Sequence, residues 1–222
     1  MSSIELTPPA EVGGVIACVA GATAGDLVAE LTPTERALAT AMGPRRAREW
    51  ALGRGCLRRA IKTLAPGFTD DLLANDRGAP HVTAALRVSL SHKDDLAVAW
   101  AQLTTHGPAG RWHLGIDLET LAPPRQPIEA RVLTARERDV LPSQHESRQA
   151  MVKTIFALKE AAYKALDPFV RRHVGFAEAE VERAPAGLWR IKVAAHAEIQ
   201  ILARVQGLPD HVIAMAWATE TK

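Results

Sequence analysis

Apolar residues recur along this chain with two different periods, and the switches between them predict its elements. Over residues 45–64, Trp50, Leu57, Ile61 and Leu64 fall on one stripe at ~100° per residue, which predicts a helix buried along that face. Over residues 148–166, Val152, Phe156 and Tyr163 predict a second such helix. Two short runs, Leu96-Ala97-Val98-Ala99-Trp100-Ala101 and Ile213-Ala214-Met215-Ala216-Trp217-Ala218, are continuously apolar and read as buried strands. The segment Trp112-His113-Leu114-Gly115-Ile116-Asp117-Leu118-Glu119 reads as a strand with Ile116 and Leu118 on one face and Asp117 and Glu119 on the other. Residues 104–110 and 122–127 are rich in glycine and proline and read as loops.

These elements repeat. Thr32 with Glu35 and Thr134 with Glu137 make the same capping-box pattern, in which hydroxyl and carboxylate satisfy orphan backbone donors of a helix start. Next in each series comes a long helix, with Trp50-Ala51-Leu52-Gly53-Arg54 matching Phe156-Ala157-Leu158-Lys159-Glu160, and last comes an apolar strand. Three matches in one order predict an α+β fold of two similar halves, residues 1–113 and 114–222.

Composition narrows the class. In 222 residues, 47% hydrophobic and 23% charged residues are the balance of a globular chain that folds unaided. Cys18 and Cys56 make no disulfide framework and have no partners at metal-ligand spacing, which suits a reducing cytoplasm. The N-terminus lacks the basic start of a signal peptide, and the apolar run at 15–24 is broken by glycine and too short to span a bilayer, so neither export nor a membrane span is expected. A net charge of +2 leaves any anion chemistry to local clusters.

Two kinds of cluster stand out. Arg45, Arg48, Arg59 and Lys62 project away from the first helix's apolar stripe, whereas Arg46 and Arg54 each lie roughly 40° from Trp50, at the core's edge. An arginine there either snorkels to water or holds a fixed anion. On the second helix Glu160 lies roughly 40° from Phe156, with Lys164 one turn on, either as a helical ion pair or as part of a site. The pairing of Arg54 with Glu160 in the repeat gives one half a cation and the other an anion at matched places. Asp117 and Glu119 repel each other unless a cation or water screens them, so they form either a solvated strand face or, with Glu160, an oxygen site suited to magnesium. Seven basic residues between Arg45 and Lys62 also suit a nucleic-acid module, although Arg46 and Arg54 turn inward where a groove-reading helix presents its cations outward. Three carboxylates with magnesium equally suit a phosphodiesterase.

Gly115-Ile116-Asp117-Leu118-Glu119 and Phe156-Ala157-Leu158-Lys159-Glu160-Ala161-Ala162-Tyr163-Lys164-Ala165 resemble the two signatures of the 4′-phosphopantetheinyl transferases of the surfactin and enterobactin type. Ser89-Leu90-Ser91-His92, the turn Arg77-Gly78-Ala79-Pro80 and Arg46-x-x-Glu49-Trp50-x-x-x-Arg54 are similar to further segments of that family, so the resemblance runs over residues 31–218. It implies a pseudo-dimeric α+β fold in a monomeric chain, with coenzyme A held between the halves. The reaction implied is transfer of the 4′-phosphopantetheine group to a serine of an apo acyl or peptidyl carrier protein, as in secondary metabolism, with release of 3′,5′-ADP. By the same resemblance Asp117, Glu119 and Glu160 bind Mg2+, Glu160 is the base, and Lys164 contacts the pyrophosphate. Arg46, Arg54, Arg77, Ser91, His92 and Lys159 contact coenzyme A; Arg77 stands in for a lysine that some members carry where this chain has Ala79. Arg131, Arg136, Arg138, Arg148 and Lys153 offer a basic surface to an acidic carrier.

Overall fold

A computed structural model describes residues 6–20, 24–123 and 126–221. In chain order the described residues form β1 (Val15–Ala20), α1 (Ala24–Ala29), α2 (Pro33–Thr40), α3 (Pro44–Leu64), β2 (Leu86–Lys93) and β3 (Leu96–Leu103). There follow β4 (Trp112–Thr120), α4 (Glu129–Val132), α5 (Ala135–Asp139), α6 (His145–Val170), β5 (Ala179–Arg183), β6 (Trp189–Val193), β7 (Ile199–Gly207) and β8 (His211–Glu220). The chain divides into two units, Met1–Gly107 and Pro108–Lys222, and Trp112 and His113 pair with β8 in the second.

Each unit is an antiparallel sheet with one long helix laid on it. The first sheet runs β1-β3-β2, with α3 packed on β3 and β1. The second runs β4-β8-β7-β6-β5, with α6 packed on β4 and β8. Its first three strands repeat the plan of the first sheet: the strand before the helices, then the last strand, then the one before it. The predicted α+β repeat is therefore realised strand by strand, and the hairpin β5–β6 is extra. Small side chains let the helices sit close. Ala97, Ala99 and Ala101 of β3 join the core under α3, and Ala214, Ala216 and Ala218 of β8 join the core under α6; all six are fully buried.

Both predicted capping boxes form, on Thr32 with Glu35 and on Thr134 with Glu137. What the pattern did not reveal is that both glutamates are buried hubs. Glu35, with no exposed surface, accepts from the Thr32 amide at 2.9 Å, from the Leu72 amide at 2.6 Å and from Arg58 at 2.6 Å. Glu137 accepts from the Thr134 amide at 2.8 Å, from the Val181 amide at 2.7 Å and from Lys159 at 2.7 Å. A carboxylate kept from water is tolerable only with its lone pairs satisfied in this way.

These twin hubs correct the helix alignment. Arg58 of α3 corresponds to Lys159 of α6, so Glu160 corresponds to Arg59, which pairs with Glu30 at the surface, and not to Arg54. The sequence match slipped because apolar stripes on a helix repeat almost every turn, so several registers look alike. Removing one partner of such a pair strands the other charge in the core. Glu35→Ala is expected to destabilise the chain by about 3–5 kcal/mol, read as a lower urea midpoint at unchanged slope.

Candidate functional site

Gly115, Asp117 and Glu119 alternate with Ile116 and Leu118 along β4, and the first set faces α6. Gly115 sets the distance. A Cβ built there would lie 2.0 Å from the Ala161 carbonyl oxygen and 2.8 Å from the Ala165 amide, so only a hydrogen lets the strand meet the helix backbone. This close approach brings Lys164 to Asp117: its ammonium donates to Asp117 Oδ1 at 2.7 Å and to the Ile116 carbonyl at 2.9 Å. Farther along β4, Lys153 Nζ stands 4.0 Å from Glu119 Oε2, both side chains being buried. Asp117 and Glu119 are 5% and 8% exposed, which rules out a solvated strand face.

Glu160 shares a face of α6 with both lysines, since at ~100° per residue the seven residues from Lys153 return to within about 20° and the four to Lys164 to within about 40°. It is half-buried. Burial raises the proton affinity of its carboxyl; the charges of Asp117 and Glu119 raise it further, while Lys164 and His173 oppose them. The three acids thus share one electrostatic neighbourhood. Among the described residues no three His, Cys, Asp or Glu side chains are grouped tightly enough to hold a metal ion. The donor types nevertheless suit a hard cation, since all are carboxylates and two of them raise the proton affinity of the third.

The sequence overlooked Lys153 as a member of this cluster, although its spacing from Glu160 and Lys164 was a readable signal. Its burial removes it from the basic surface that the sequence predicts for an acidic carrier. Of the other members of that surface, Arg131, Arg136 and Arg138 are exposed, Arg136 pairing with Glu180 at 3.0 Å, and Arg148 pairs with Glu129. Lys159 also departs from its expected role. Its ammonium donates to Glu137 at 2.7 Å, to the Val132 carbonyl at 2.8 Å and to the Phe176 carbonyl at 3.0 Å. With all three donors engaged it has none left for coenzyme A.

In the first unit Arg54 is 6% exposed and lies 5.2 Å from the Trp50 ring centroid. Its Nε has no hydrogen-bond partner among the described residues. Burial lowers its proton affinity; Glu35 opposes this and Arg46 adds to it. A guanidinium buried in this way, with no carboxylate in contact among the described residues, is not a snorkelling side chain.

Arg46 is exposed and not at the core's edge: the opening turns of α3 touch the core only through the partly buried Ala47 and Trp50, and the first buried residue is Ala51. It still acts electrostatically on Arg54 and, together with His92, on Glu49. His92 is half-buried on β2, 3.5 Å from where a Cβ at Gly53 would lie, which places it beside the middle of α3, at the residue preceding Arg54 and about two turns from Arg46. Ser91 is buried and, by strand alternation, on the sheet face opposite His92. Arg77 is exposed in a turn tied by Asn75 Oδ1, which accepts from the Arg77 and Ala79 amides at 2.8 and 3.1 Å. Among the described residues no helix is long and apolar enough to cross a membrane, and both cysteines are free thiols.

The family model described as the 4′-phosphopantetheinyl transferase superfamily matches residues 113–216, and that described as the 4′-phosphopantetheinyl transferase N-terminal domain matches residues 34–102. No curated protein matches the chain. Similar solved structures include the apo-ACPS of Chronobacterium ammoniagenes, at 20% identity and a TM-score of 0.42 over 50% of this chain and 99% of that one. The ACPS–CoA complex of the same organism matches at 20% and 0.42 over 51% of this chain and 100% of that one. The holo-ACP-synthase of Plasmodium yoelii matches at 20% and 0.41, again over 51% and 100%. The two family models together span most of the chain, in the order of its two units. The chain therefore belongs to the 4′-phosphopantetheinyl transferase superfamily and is an enzyme of that transferase class.

Proposed function

We propose that this chain transfers the 4′-phosphopantetheine group of coenzyme A to a serine hydroxyl of an apo carrier protein, with magnesium held by Asp117, Glu119 and Glu160. The observation that carries the reading is the set of charges along β4 and α6, where Lys164 donates to Asp117 and the charges of Asp117, Glu119 and Lys164 all act on Glu160. When bound, magnesium would neutralise charge on the diphosphate as the bond to the leaving group opens.

The serine oxygen forms a new bond to the β-phosphorus while the bond from that phosphorus to the bridging oxygen breaks, and 3′,5′-ADP departs. Glu160 takes the serine proton, a task suited to a carboxylate whose proton affinity burial has raised. Lys164, already a donor to Asp117, turns its ammonium to the diphosphate and stabilises the charge that grows there. The first unit grips phosphate: Arg54 presents a largely buried guanidinium whose Nε has no partner among the described residues, and Arg46 adds to its field, with His92 nearby. Ser91 and Arg77 are assigned to coenzyme A on their family resemblance alone. In this division of labour residues 1–113 bind phosphate and residues 114–222 carry the chemistry, in a monomeric chain of the reducing cytoplasm. Arg131, Arg136 and Arg138 form the exposed basic face offered to an acidic carrier.

The test is mass spectrometry of an apo carrier protein incubated with this chain, coenzyme A and magnesium. The expected result is a carrier heavier by one phosphopantetheine, with equimolar 3′,5′-ADP and no product in EDTA. Release of 3′,5′-ADP without a carrier would point to the phosphodiesterase reading. Arg54→Leu is expected to raise the Michaelis constant for coenzyme A about tenfold or more at nearly unchanged kcat, because a charge-assisted phosphate contact contributes about 1.5–3 kcal/mol.

A further inference from the structure

We infer that Glu137 and Lys159 are positioning residues for Glu160, a role that rests on Glu160 acting as the base. Lys159 immediately precedes Glu160 on α6. Its ammonium joins three separate pieces of chain: the end of α4 through the Val132 carbonyl, α5 through Glu137, and the turn ahead of β5 through the Phe176 carbonyl. Glu137 extends the link to β5 through the Val181 amide. The pair is 1% and 2% exposed at its side chains, so no water is available to replace a lost partner. Four elements thus fix the rotation and height of α6 at the residue next to the carboxylate that has to meet the serine proton. Placement of such a group to within a fraction of an ångström governs the rate of a transfer step.

The molecule contains its own control. Glu35 and Arg58 form a matching hub in the first unit: each carboxylate accepts a helix-start amide on one oxygen and a distant amide on the other, Leu72 there and Val181 here, although Arg58 shares the oxygen of the distant amide and Lys159 that of the helix-start amide. The residue after Arg58 is Arg59, which faces Glu30 and belongs to no site. Both hubs hold a helix to its neighbours, but only one has a reacting group beside it. The first hub also shows that a guanidinium can satisfy a buried glutamate of this kind, so Lys159→Arg is a substitution the fold can accept.

The test exchanges the two solutions, with Lys159→Arg and Arg58→Lys made separately in the full chain. Thermal unfolding, magnesium affinity by calorimetry, and kcat and KM for transfer are measured on each. Lys159→Arg is expected to lower kcat at least tenfold and to weaken magnesium binding, with KM for coenzyme A within about twofold. Arg58→Lys is expected to change only the unfolding midpoint. Equal effects of the two variants on kcat, or an unchanged kcat and magnesium affinity in Lys159→Arg, would overturn the inference. Should Lys159→Arg unfold, Glu137→Asp serves in its place, read against Glu35→Asp by the same measurements. A wild-type chain that moves no phosphopantetheine would instead overturn the functional reading, and the magnesium affinities would still decide whether the hub positions Glu160.

Discussion

Glu160→Gln is expected to lower kcat for transfer by about 10²–10⁴-fold while leaving coenzyme A binding measurable by calorimetry. The amide keeps the volume and much of the polarity of the carboxylate, so packing along α6 should survive. What it loses is the ability to accept a proton and one unit of charge beside Asp117 and Glu119. Because Glu160 already carries a raised proton affinity from burial and from those two acids, its replacement should, if anything, relieve the fold. The signature is therefore an inactive variant with an undiminished unfolding midpoint, read by pairing the transfer assay with a thermal melt. Activity within tenfold of wild type would remove Glu160 from the proton transfer.

The second large effect is expected at a residue with no functional group. Gly115→Ala places a methyl 2.0 Å from a backbone oxygen and 2.8 Å from a backbone nitrogen of α6, neither of which can rotate aside as a side-chain tip would. The helix has to lift from β4, at a cost of about 3 kcal/mol or more, since overpacking that displaces backbone lies at the upper end of its usual range. For a chain of this size that is a fall of about 6–12 °C in the melting temperature. Lifting α6 also withdraws Lys164 from Asp117, so activity should fall further than the unfolded fraction explains. Gly67→Ala is the control, because a Cβ there meets nothing within 4 Å. A Gly115→Ala enzyme as stable and active as wild type would show that β4 and α6 tolerate a wider spacing.

The motif segments were legible because chemistry of this kind needs specific residue types at short separations. Alternation on β4 put Asp117 and Glu119 on one face, and helical spacing put Glu160 and Lys164 on one face, without reference to anything distant in sequence. The same spacing also contained Lys153, which was read as surface because a lysine carries no mark of its own burial. Arg54 was legible as a choice between water and an anion, and its burial removes the first of these without supplying the second. Arg46 misled, since a stripe calculation treats every turn of a helix as equally covered, whereas the first two turns of α3 hold no buried residue.

By itself the sequence determined the periodicities, the capping boxes, the order of two α+β halves and the local grouping of charged residues, all of which depend on neighbours a few positions apart. Only the tertiary structure decided which of those charges lost their water. Glu35 and Glu137 read only as capping-box acids, and Lys159 as a coenzyme A contact by resemblance, until segments far away in the chain closed over them and over Arg58. The register between the two long helices was decided in the same way, because apolar stripes admit several shifts while a buried ion pair, costly to mismatch in a low-dielectric interior, admits one.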